Sequence, residues 1–216
     1  MENKYHLDPN DSYYKFYKPW MIPFIPDSPS RILDLGCGSG ELGKRLRELN
    51  KPVELIGVEI YAPAADEALK YYNKVYKGDV EEMDLHYDEY FDFIVCGDIL
   101  EHLRDPWSML QRIKTYMKKD GLLLASIPNI RYWTVLKDLI FKGQFEYVEG
   151  GVLDITHLRF FTRRSFKKIL SNLDYEIVDS WMKVSGVKKN AINKLTFNVF
   201  EEYLGAQYCL IAKKVK

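Results

Sequence analysis

Residues 31–43 read RILDLGCGSGELG, and this stretch decides the fold. The apolar run that ends at Leu35 predicts a buried strand, and a helical pattern begins directly after the loop that follows. The loop carries Gly36, Gly38 and Gly40 at alternate positions. Glycines permit positive φ and let the backbone approach a ligand beside a helix N-terminus, and an ordinary turn seldom needs three of them. The stretch therefore predicts a strand, a ligand-binding loop and a helix in succession.

On both sides of this unit, short apolar runs alternate with helical patterns. Strands are predicted at residues 31–35, 53–60, 74–77, 91–97, 122–127, 176–184 and 207–213. Helices are predicted at residues 41–49, 63–72, 106–117 and 130–141, with a further one capped by Thr162 and a helix or lid at 189–203. The alternation predicts an α/β fold with a Rossmann-like doubly wound sheet, mostly parallel with an antiparallel C-terminal strand, and helices on both faces. We expect a short helix-free reversal before that last strand.

The composition excludes several classes of protein. The chain of 216 residues holds 31 basic and 31 acidic residues, and its zero net charge argues against a generic nucleic-acid or membrane binder. The charge is unevenly distributed. Residues 1–108 hold 12 basic and 21 acidic residues, whereas residues 109–216 hold 19 basic and 10 acidic residues. Cys37, Cys96 and Cys209 are dispersed and no apolar run could span a membrane, so we expect a cytoplasmic protein without structural zinc.

Two ligands compete for the glycine loop. Residues 38–43 satisfy the GxGxxG pattern of dinucleotide-binding proteins. However, Asp34 and Glu41 flank the loop with carboxylates, which repel a pyrophosphate and suit a ligand with an ammonium and a sulfonium. Glu59 ends the second predicted strand, where a carboxylate can accept both hydroxyls of an adenosine ribose, and Asp79 could accept from an adenine amine. The charges favour S-adenosylmethionine over NAD.

Four motifs carry a resemblance to a known family. ILDLGCGSG, VEI, GDV and FDFIVCGDILEHLRDP, in this order, resemble the motif series of class I S-adenosylmethionine-dependent methyltransferases across about residues 31–128. The resemblance implies a set of cofactor-binding residues, namely Asp34, Gly36, Cys37, Gly38, Gly40, Glu59, Ile60, Asp79, Val80, Gly97 and Asp98. The LEHLRDP run is typical of the small-molecule branch, and the Asn-Pro-Pro-Tyr signature of nucleic-acid amino methyltransferases is absent after the fourth predicted strand. S-adenosylhomocysteine would be the product.

The second half of the chain bears on the acceptor. The runs IPNIRYW at 127–133 and GVLDITHLRFFT at 151–162 are similar to methyltransferases of bacterial surface-polysaccharide and sugar pathways, and more loosely to MetW-type proteins of methionine biosynthesis. We therefore expect methyl transfer to an oxygen of a small molecule, a sugar or nucleotide-linked sugar, and no nucleic-acid partner. The alternatives are a non-catalytic cofactor-binding accessory of a partner enzyme, as the MetW likeness implies, and an NAD-dependent oxidoreductase. A homodimer also stays open.

The acceptor is expected to lie beneath two irregular segments. Residues 1–29, rich in aromatic side chains, would form an N-terminal cap, and residues 30–216 the methyltransferase domain, with an acceptor lid within about 129–162 and 185–204. Candidate acceptor-binding residues are Tyr13 and Tyr14 in the cap, Arg131, Tyr132 and Trp133 after the fifth strand, and Arg159 in the lid. The aromatic faces could lie near the sulfonium, and the guanidinium of Arg159 could bind a phosphate or carboxylate. Core packing is the alternative for the aromatic stripe.

Methyl transfer to a hydroxyl needs a group that takes the proton. His102, after the fourth strand, and His157, in the lid, are the candidate catalytic residues, because neutral imidazole is a base near pH 7. Either histidine could instead be structural, His102 by orienting Glu101 and His157 by fixing its loop.

A divalent cation is an alternative use of the same turn. Asp98, Glu101 and His102 follow the fourth strand, and related quinone-type O-methyltransferases carry a similar set that binds such a cation. Because Asp98 is also needed beside the cofactor, we expect no metal.

Overall fold

The computed structural model describes Tyr14, residues 18–28 and residues 30–215. The seven strands are β1 (Ser30–Leu35), β2 (Val53–Glu59), β3 (Lys74–Lys77), β4 (Phe91–Gly97), β5 (Met117–Pro128), β6 (Tyr175–Val184) and β7 (Gly205–Lys214). The helices are α1 (Glu41–Glu48), α2 (Ala62–Ala68), α3 (Pro106–Tyr116), α4 (Trp133–Lys142), α5 (Arg163–Asn172), α6 (Val187–Leu195) and α7 (Glu201–Leu204), with 3-10 helices at Pro19–Phe24 and Leu100–His102. The strands form one sheet in the order β3-β2-β1-β4-β5-β7-β6.

The sheet confirms the predicted doubly wound fold. Strands β3, β2, β1, β4 and β5 run parallel, and Leu33 of β1 lies opposite Ile56 of β2 and Ile94 of β4. Successive strand residues point to opposite faces, so Ile94 packs in one apolar cluster and Phe93 and Val95 in another. Burial on both faces explains why the central strands read as continuous apolar runs.

The C-terminal part closes the sheet in antiparallel fashion. Strand β7 pairs antiparallel with β5 on one side and with β6 on the other. The expectation of a helix-free reversal before β7 is wrong, because α6 and α7 both lie between β6 and β7. The predicted helix at 189–203 is therefore divided, since the chain turns at Phe197 and Asn198, where φ is positive.

Side-chain caps mark the starts of two of the described helices. Asp105 accepts from the Ser108 N–H at the start of α3, and the predicted cap Thr162 accepts from the Ser165 N–H at the start of α5. Helix α4 begins at Trp133, three residues later than predicted, because Asn129 folds the chain into a turn first.

The N-terminal segment packs against the domain. Met21 and Ile25 are buried in the same apolar cluster as α1 and Tyr72, and the Trp20 ring meets Trp181 of β6 edge-on at 5.1 Å. Within the described part of the chain, no helix is both long and apolar enough to cross a membrane.

Candidate active site

The loop that follows β1 is held at the carboxyl edge of the sheet. The N–H groups of Gly36 and Cys37 donate to the Val58 carbonyl of β2, and Gly40, at φ 85°, precedes α1. Gly38 has φ 54°, and a Cβ there would lie 2.6 Å from the Tyr14 carbonyl oxygen. All three alternate glycines have positive φ, and Gly38 also leaves room for the close approach of the Tyr14 carbonyl.

Two buried carboxylates flank this loop. The Tyr72 hydroxyl donates to Asp34 at 2.5 Å, while Glu59 accepts from the Gly38 N–H at 2.8 Å and the Tyr61 N–H at 2.9 Å. Burial raises the pKa of Asp34 to about 6, against the opposing effects of the Tyr72 hydrogen bond and the Lys18 charge. Burial also raises the pKa of Glu59. This edge of the sheet therefore carries acidic groups that a cationic ligand would stabilise.

A lysine lies at the end of β4. Lys18 Nζ donates to the Gly97 carbonyl at 2.6 Å and lies 3.1 Å from an Asp98 carboxylate oxygen. Asp98 also accepts from the Ser126 hydroxyl and the Gln207 amide, each at 2.6 Å. Burial alone would raise the pKa of Asp98, but Lys18 and these hydrogen bonds lower it. Gly97 and Asp98, two of the predicted cofactor-binding residues, therefore contact a cation from the N-terminal segment.

The other predicted cofactor residues lie close by in the fold. Asp79 follows β3, accepts from the Glu81 N–H at 2.8 Å and pairs with Arg104 at 3.1 Å. Val80 is buried, whereas the side chain of Ile60 is largely exposed. The Gly78 N–H donates to the Glu59 carbonyl, which joins the end of β3 to that of β2.

The two candidate histidines are in contact. Their ring centroids lie 4.7 Å apart, with the rings edge to face. His102 Nδ1 lies 3.1 Å from the Thr156 hydroxyl, and His157 Nδ1 lies 3.0 Å from the Val152 carbonyl oxygen. Burial and the neighbouring His157 lower the pKa of His102 to about 4. The loop at 151–162 therefore folds back onto the end of β4. The spacing of the motifs in the sequence does not predict this contact.

Glu101 completes a three-residue cluster with this pair. It is almost fully buried, and neither carboxylate oxygen has a hydrogen-bond partner among the described residues. Donor atoms of Glu101, His102 and His157 all lie within 4.8 Å of one another. Burial and the charge of Asp98 raise the pKa of Glu101 well above its usual range.

The assembled cluster differs from the metal set considered from sequence. Asp98 is directed to Lys18, Ser126 and Gln207, and His157 takes its place beside Glu101. Two imidazoles and a carboxylate fit a divalent transition metal by donor type.

The predicted acceptor-binding residues contact different parts of the chain. Arg131 donates to Glu202 and to the Tyr203 hydroxyl, and Lys189 donates to the Tyr132 hydroxyl, so α6 and α7 meet the start of α4 here. Trp133 is about half exposed and meets Phe141 edge-on at 6.4 Å.

The predicted acceptor-binding residues of the lid and of the N-terminal cap have other partners. Arg159 donates to the Arg104 carbonyl and lies over the Trp107 ring at 5.7 Å. Tyr14 stacks on Tyr61 at 4.7 Å, and its carbonyl accepts from the Ser39 N–H. Tyr13 lies outside the described residues.

Several residues of the site were not predicted. Lys18, Tyr72 and Gln207 make contacts across 79, 38 and 109 positions of the sequence. Asn129 is buried and donates to the Gly205 carbonyl at 2.9 Å, which fixes β5 beside β7. Asn129 lies in the IPNIRYW run, but that run does not indicate its contact with Gly205, and Lys18, Tyr72 and Gln207 belong to none of the motifs quoted above. These contacts are therefore visible only in the folded chain.

Comparison with known proteins supports one family. The chain is 28% identical over 137 residues to the ubiquinone biosynthesis O-methyltransferase of Actinobacillus pleuropneumoniae serotype 5b, covering 56% of this chain and 58% of that protein. It is 35% identical over 106 residues to the protein of the same description from Colwellia psychrerythraea, covering 46% of this chain and 42% of that protein. The chain thus spans about half the length of the curated relatives it matches.

Solved structures share the fold. A SAM-dependent methyltransferase from Archaeoglobus fulgidus aligns over 90% of both chains with a TM-score of 0.63 and 22% identity. An S-adenosylmethionine-dependent methyltransferase from Mesorhizobium loti aligns over 90% of this chain and 96% of that one, with a TM-score of 0.64 and 15% identity.

The decisive match extends beyond the predicted motifs. The sequence family described as "Methyltransferase domain" matches residues 13–180, which include the glycine loop, the acidic strand ends and both candidate histidines. The chain therefore belongs to this methyltransferase-domain family.

Proposed function

We propose that the protein binds S-adenosylmethionine and directs methyl transfer to an oxygen of a small-molecule acceptor. The observation that carries the proposal is the pair of buried carboxylates, Asp34 and Glu59, beside a glycine loop at the carboxyl edge of a parallel sheet. Ligands bind at this edge in open α/β folds. A pyrophosphate would meet negative charge there, so an NAD-dependent reaction is disfavoured.

The proposed cofactor residues act by position and charge. Glu59 is held by two backbone N–H groups and would accept from the ribose, and Asp79 and Val80 would contact the adenine. Asp34 would stabilise the cationic end, and Asp98, whose charge is paired with Lys18, would lie beside the cofactor. The full proposed set is Asp34, Gly36, Cys37, Gly38, Gly40, Glu59, Ile60, Asp79, Val80, Gly97 and Asp98. The cofactor supplies an electrophilic methyl group when bound, and the protein orients the acceptor oxygen that attacks it.

The histidine pair would take the acceptor proton. The low pKa of His102 keeps its ring neutral at pH 7, and a neutral ring can accept a hydrogen bond from a hydroxyl. His157 lies against His102, with ring centroids 4.7 Å apart, so we keep both rings as candidate bases. The thiols of Cys37 and Cys96 are buried with raised pKa values and are unsuited to this role.

The acceptor would lie toward the cap and lid segments. We infer binding roles for Tyr13, Tyr14, Arg131, Tyr132, Trp133 and Arg159. The sugar-pathway likeness of residues 127–133 and 151–162 supports a sugar oxygen, and the relatives named as ubiquinone biosynthesis O-methyltransferases support an oxygen of a compound of that pathway. Both acceptors present a hydroxyl to a neutral base.

Calorimetry with S-adenosylhomocysteine and NAD tests the cofactor. We expect saturable binding of S-adenosylhomocysteine and none of NAD, with weaker binding after Glu59→Gln and unchanged binding after Glu54→Gln, whose side chain lies on the same strand. Binding of NAD instead would overturn the proposal.

An acceptor panel tests the reaction. Methyl transfer would be assayed with nucleotide sugars and with catechols, using the His102→Ala and His157→Ala variants. Turnover that is lost in both variants, while cofactor binding is kept, supports the proposed base. Cofactor binding without turnover on any acceptor would favour an accessory role with a partner enzyme.

A further inference from the structure

An exposed apolar segment projects from the acceptor side of the domain. We name residues 187–200, which comprise α6 and the turn that leads to α7, the α6 tip. Its exposed apolar side chains, with their exposed fractions, are Val187 (88%), Ile192 (47%), Leu195 (79%), Phe197 (90%), Val199 (70%) and Phe200 (49%). No residue of α6 is buried. The helix therefore does not contribute to the core, and its apolar surface faces solvent.

The turn that presents these side chains is hydrogen-bonded. The Asn198 N–H donates to the Asn193 carbonyl at 2.9 Å, and the side-chain amides of the same two residues are joined at 2.9 Å. The Thr196 hydroxyl donates to the Ile192 carbonyl. Phe197 has φ 50°, a region that bulky residues seldom adopt. The chain thus holds a phenylalanine outward in an uncommon backbone conformation, which a nonspecific surface loop would not require.

The α6 tip itself carries basic residues and no acidic one, and the two acidic residues that follow it, Glu201 and Glu202, are paired with Arg163 and Arg131. Residues 181–200 contain Lys183, Lys188, Lys189 and Lys194 and no acidic residue. Lys188 and Lys194 are exposed. Across the whole chain the basic and acidic residues cancel, so the composition conceals this local excess.

This combination distinguishes between two kinds of partner. The buried centre of a protein–protein interface is depleted in lysine, because desolvating an ammonium is costly. At an anionic bilayer the same residues are compatible, since apolar side chains enter the acyl boundary while lysines stay among the negative headgroups. The charge and the exposed rings together favour a lipid surface.

We propose that the α6 tip docks the protein on an anionic lipid bilayer. Phe197, Leu195 and Val199 insert at the headgroup boundary, and Lys188 and Lys194 contact anionic headgroups. Lys189 of the tip contacts Tyr132, so docking brings the acceptor side of the domain toward the bilayer. That consequence for the acceptor rests on the proposed function, whereas docking itself does not.

Vesicle flotation tests the proposal. The protein is mixed with vesicles of DOPC alone or of DOPC with 30% DOPG, at about 0.1 M salt, where screening is moderate. We expect the protein to float with the DOPG vesicles. The fraction bound to vesicles should fall at least fivefold when the salt concentration is raised several-fold. Phe197→Ser combined with Val199→Ser, and separately Lys188→Gln combined with Lys194→Gln, should each lower the bound fraction at least fivefold.

Controls separate docking from folding and from the proposed function. Val178→Ser removes an exposed valine from β6, outside the tip, and should leave flotation unchanged. The melting temperature and S-adenosylhomocysteine binding of the tip variants should match those of the parent. Failure of the parent to float with DOPG vesicles would overturn the proposal. An equal loss of flotation in Val178→Ser would also overturn it. The same conclusion would follow if the combined Phe197→Ser and Val199→Ser variant lost self-association but still bound lipid.

Discussion

The Lys18 ammonium lies 3.1 Å from the Asp98 carboxylate, so a residue of the N-terminal segment neutralises the acidic group at the end of β4. Both side chains are mostly removed from water, and Lys18 also donates to the adjacent Gly97 carbonyl. The pair joins two parts of the chain that are 80 residues apart. The charge at the centre of the candidate site therefore depends on the position of that segment.

Removing the lysine should change the titration of its partner. In Lys18→Met the pKa of Asp98 should rise, because burial persists while the nearby positive charge is lost. Carbon-13 NMR of the aspartate carboxyl groups measures this pKa. Lys51→Met, which breaks the peripheral contact with Asp27, serves as the control. An unchanged pKa of Asp98 would show that the ion pair does not form in solution.

A methyl group at Gly38 should damage the glycine loop. Gly38→Ala places a Cβ 2.6 Å from the Tyr14 carbonyl oxygen at φ 54°, and the backbone conformation alone costs about 1–2 kcal/mol. We expect a lower free energy of unfolding in urea and weaker S-adenosylhomocysteine binding. In Gly150→Ala no atom lies within 4 Å of the new Cβ, and neither quantity should change. Equal behaviour of the two variants would contradict the loop geometry.

Neutralising Asp34 should stabilise the protein in a pH-dependent manner. The pKa of Asp34 is about 6 in the folded chain, above its ordinary value of 3.8, so the folded state binds the extra proton. Stability is therefore lost as pH rises from about 4 to 6, and the penalty above pH 6 is about 3 kcal/mol.

The test compares unfolding free energies at two pH values. Asp34→Asn should gain stability relative to the parent at pH 7.5 and should lose most of that gain at pH 4. Asp27→Asn, at a side chain that is 91% exposed, should show no such difference. The parent alone is uninformative, because the lowered pKa of His102 makes stability rise with pH over a similar range.

The pH dependence of catalysis should report the buried histidine. Because the pKa of His102 is lowered from 6.5 to about 4, its ring stays neutral well below pH 6. With saturating S-adenosylmethionine, so that protonation of Asp34 near pH 6 does not limit cofactor binding, kcat/KM for an identified acceptor should fall near pH 4–5, and an acidic limb at 6.5 would exclude His102 as the base. In His157→Ala the pKa of His102 should rise, since a neighbouring ring that disfavours its charge is removed. Nitrogen-15 NMR of the imidazole measures that pKa.

The fold was largely predictable because it follows from periodicity. Apolar runs with glycine-rich ends defined β1 and its loop, and the strand bounds agree with prediction to within a few residues, except that β5 begins at Met117. The antiparallel final strand was also predicted. The division between α6 and α7 was not, because it depends on the positive φ of Phe197 and Asn198, and local propensity disfavours that conformation for Phe197.

The candidate site was predictable only where motifs are local. Asp34, Glu59 and the glycines lie at strand ends, and the position of a strand end determines where its side chain lies. Lys18 and Gln207 contact Asp98 from positions far apart in the sequence. His102 and His157 are 55 residues apart, and their contact depends on how the chain between them folds. Such contacts are set by packing across the whole domain.

The strand order also restricts how the molecule can be assembled. Strand β6 is synthesised before β7, yet its neighbour in the sheet is β7, which lies between β6 and β5. Until residues 205–214 emerge from the ribosome, β6 has no partner, and β5 exposes an unpaired edge. The domain therefore cannot fold by adding strands in the order of translation. Strand β7 must therefore pair with both β5 and β6 before this side of the sheet is complete.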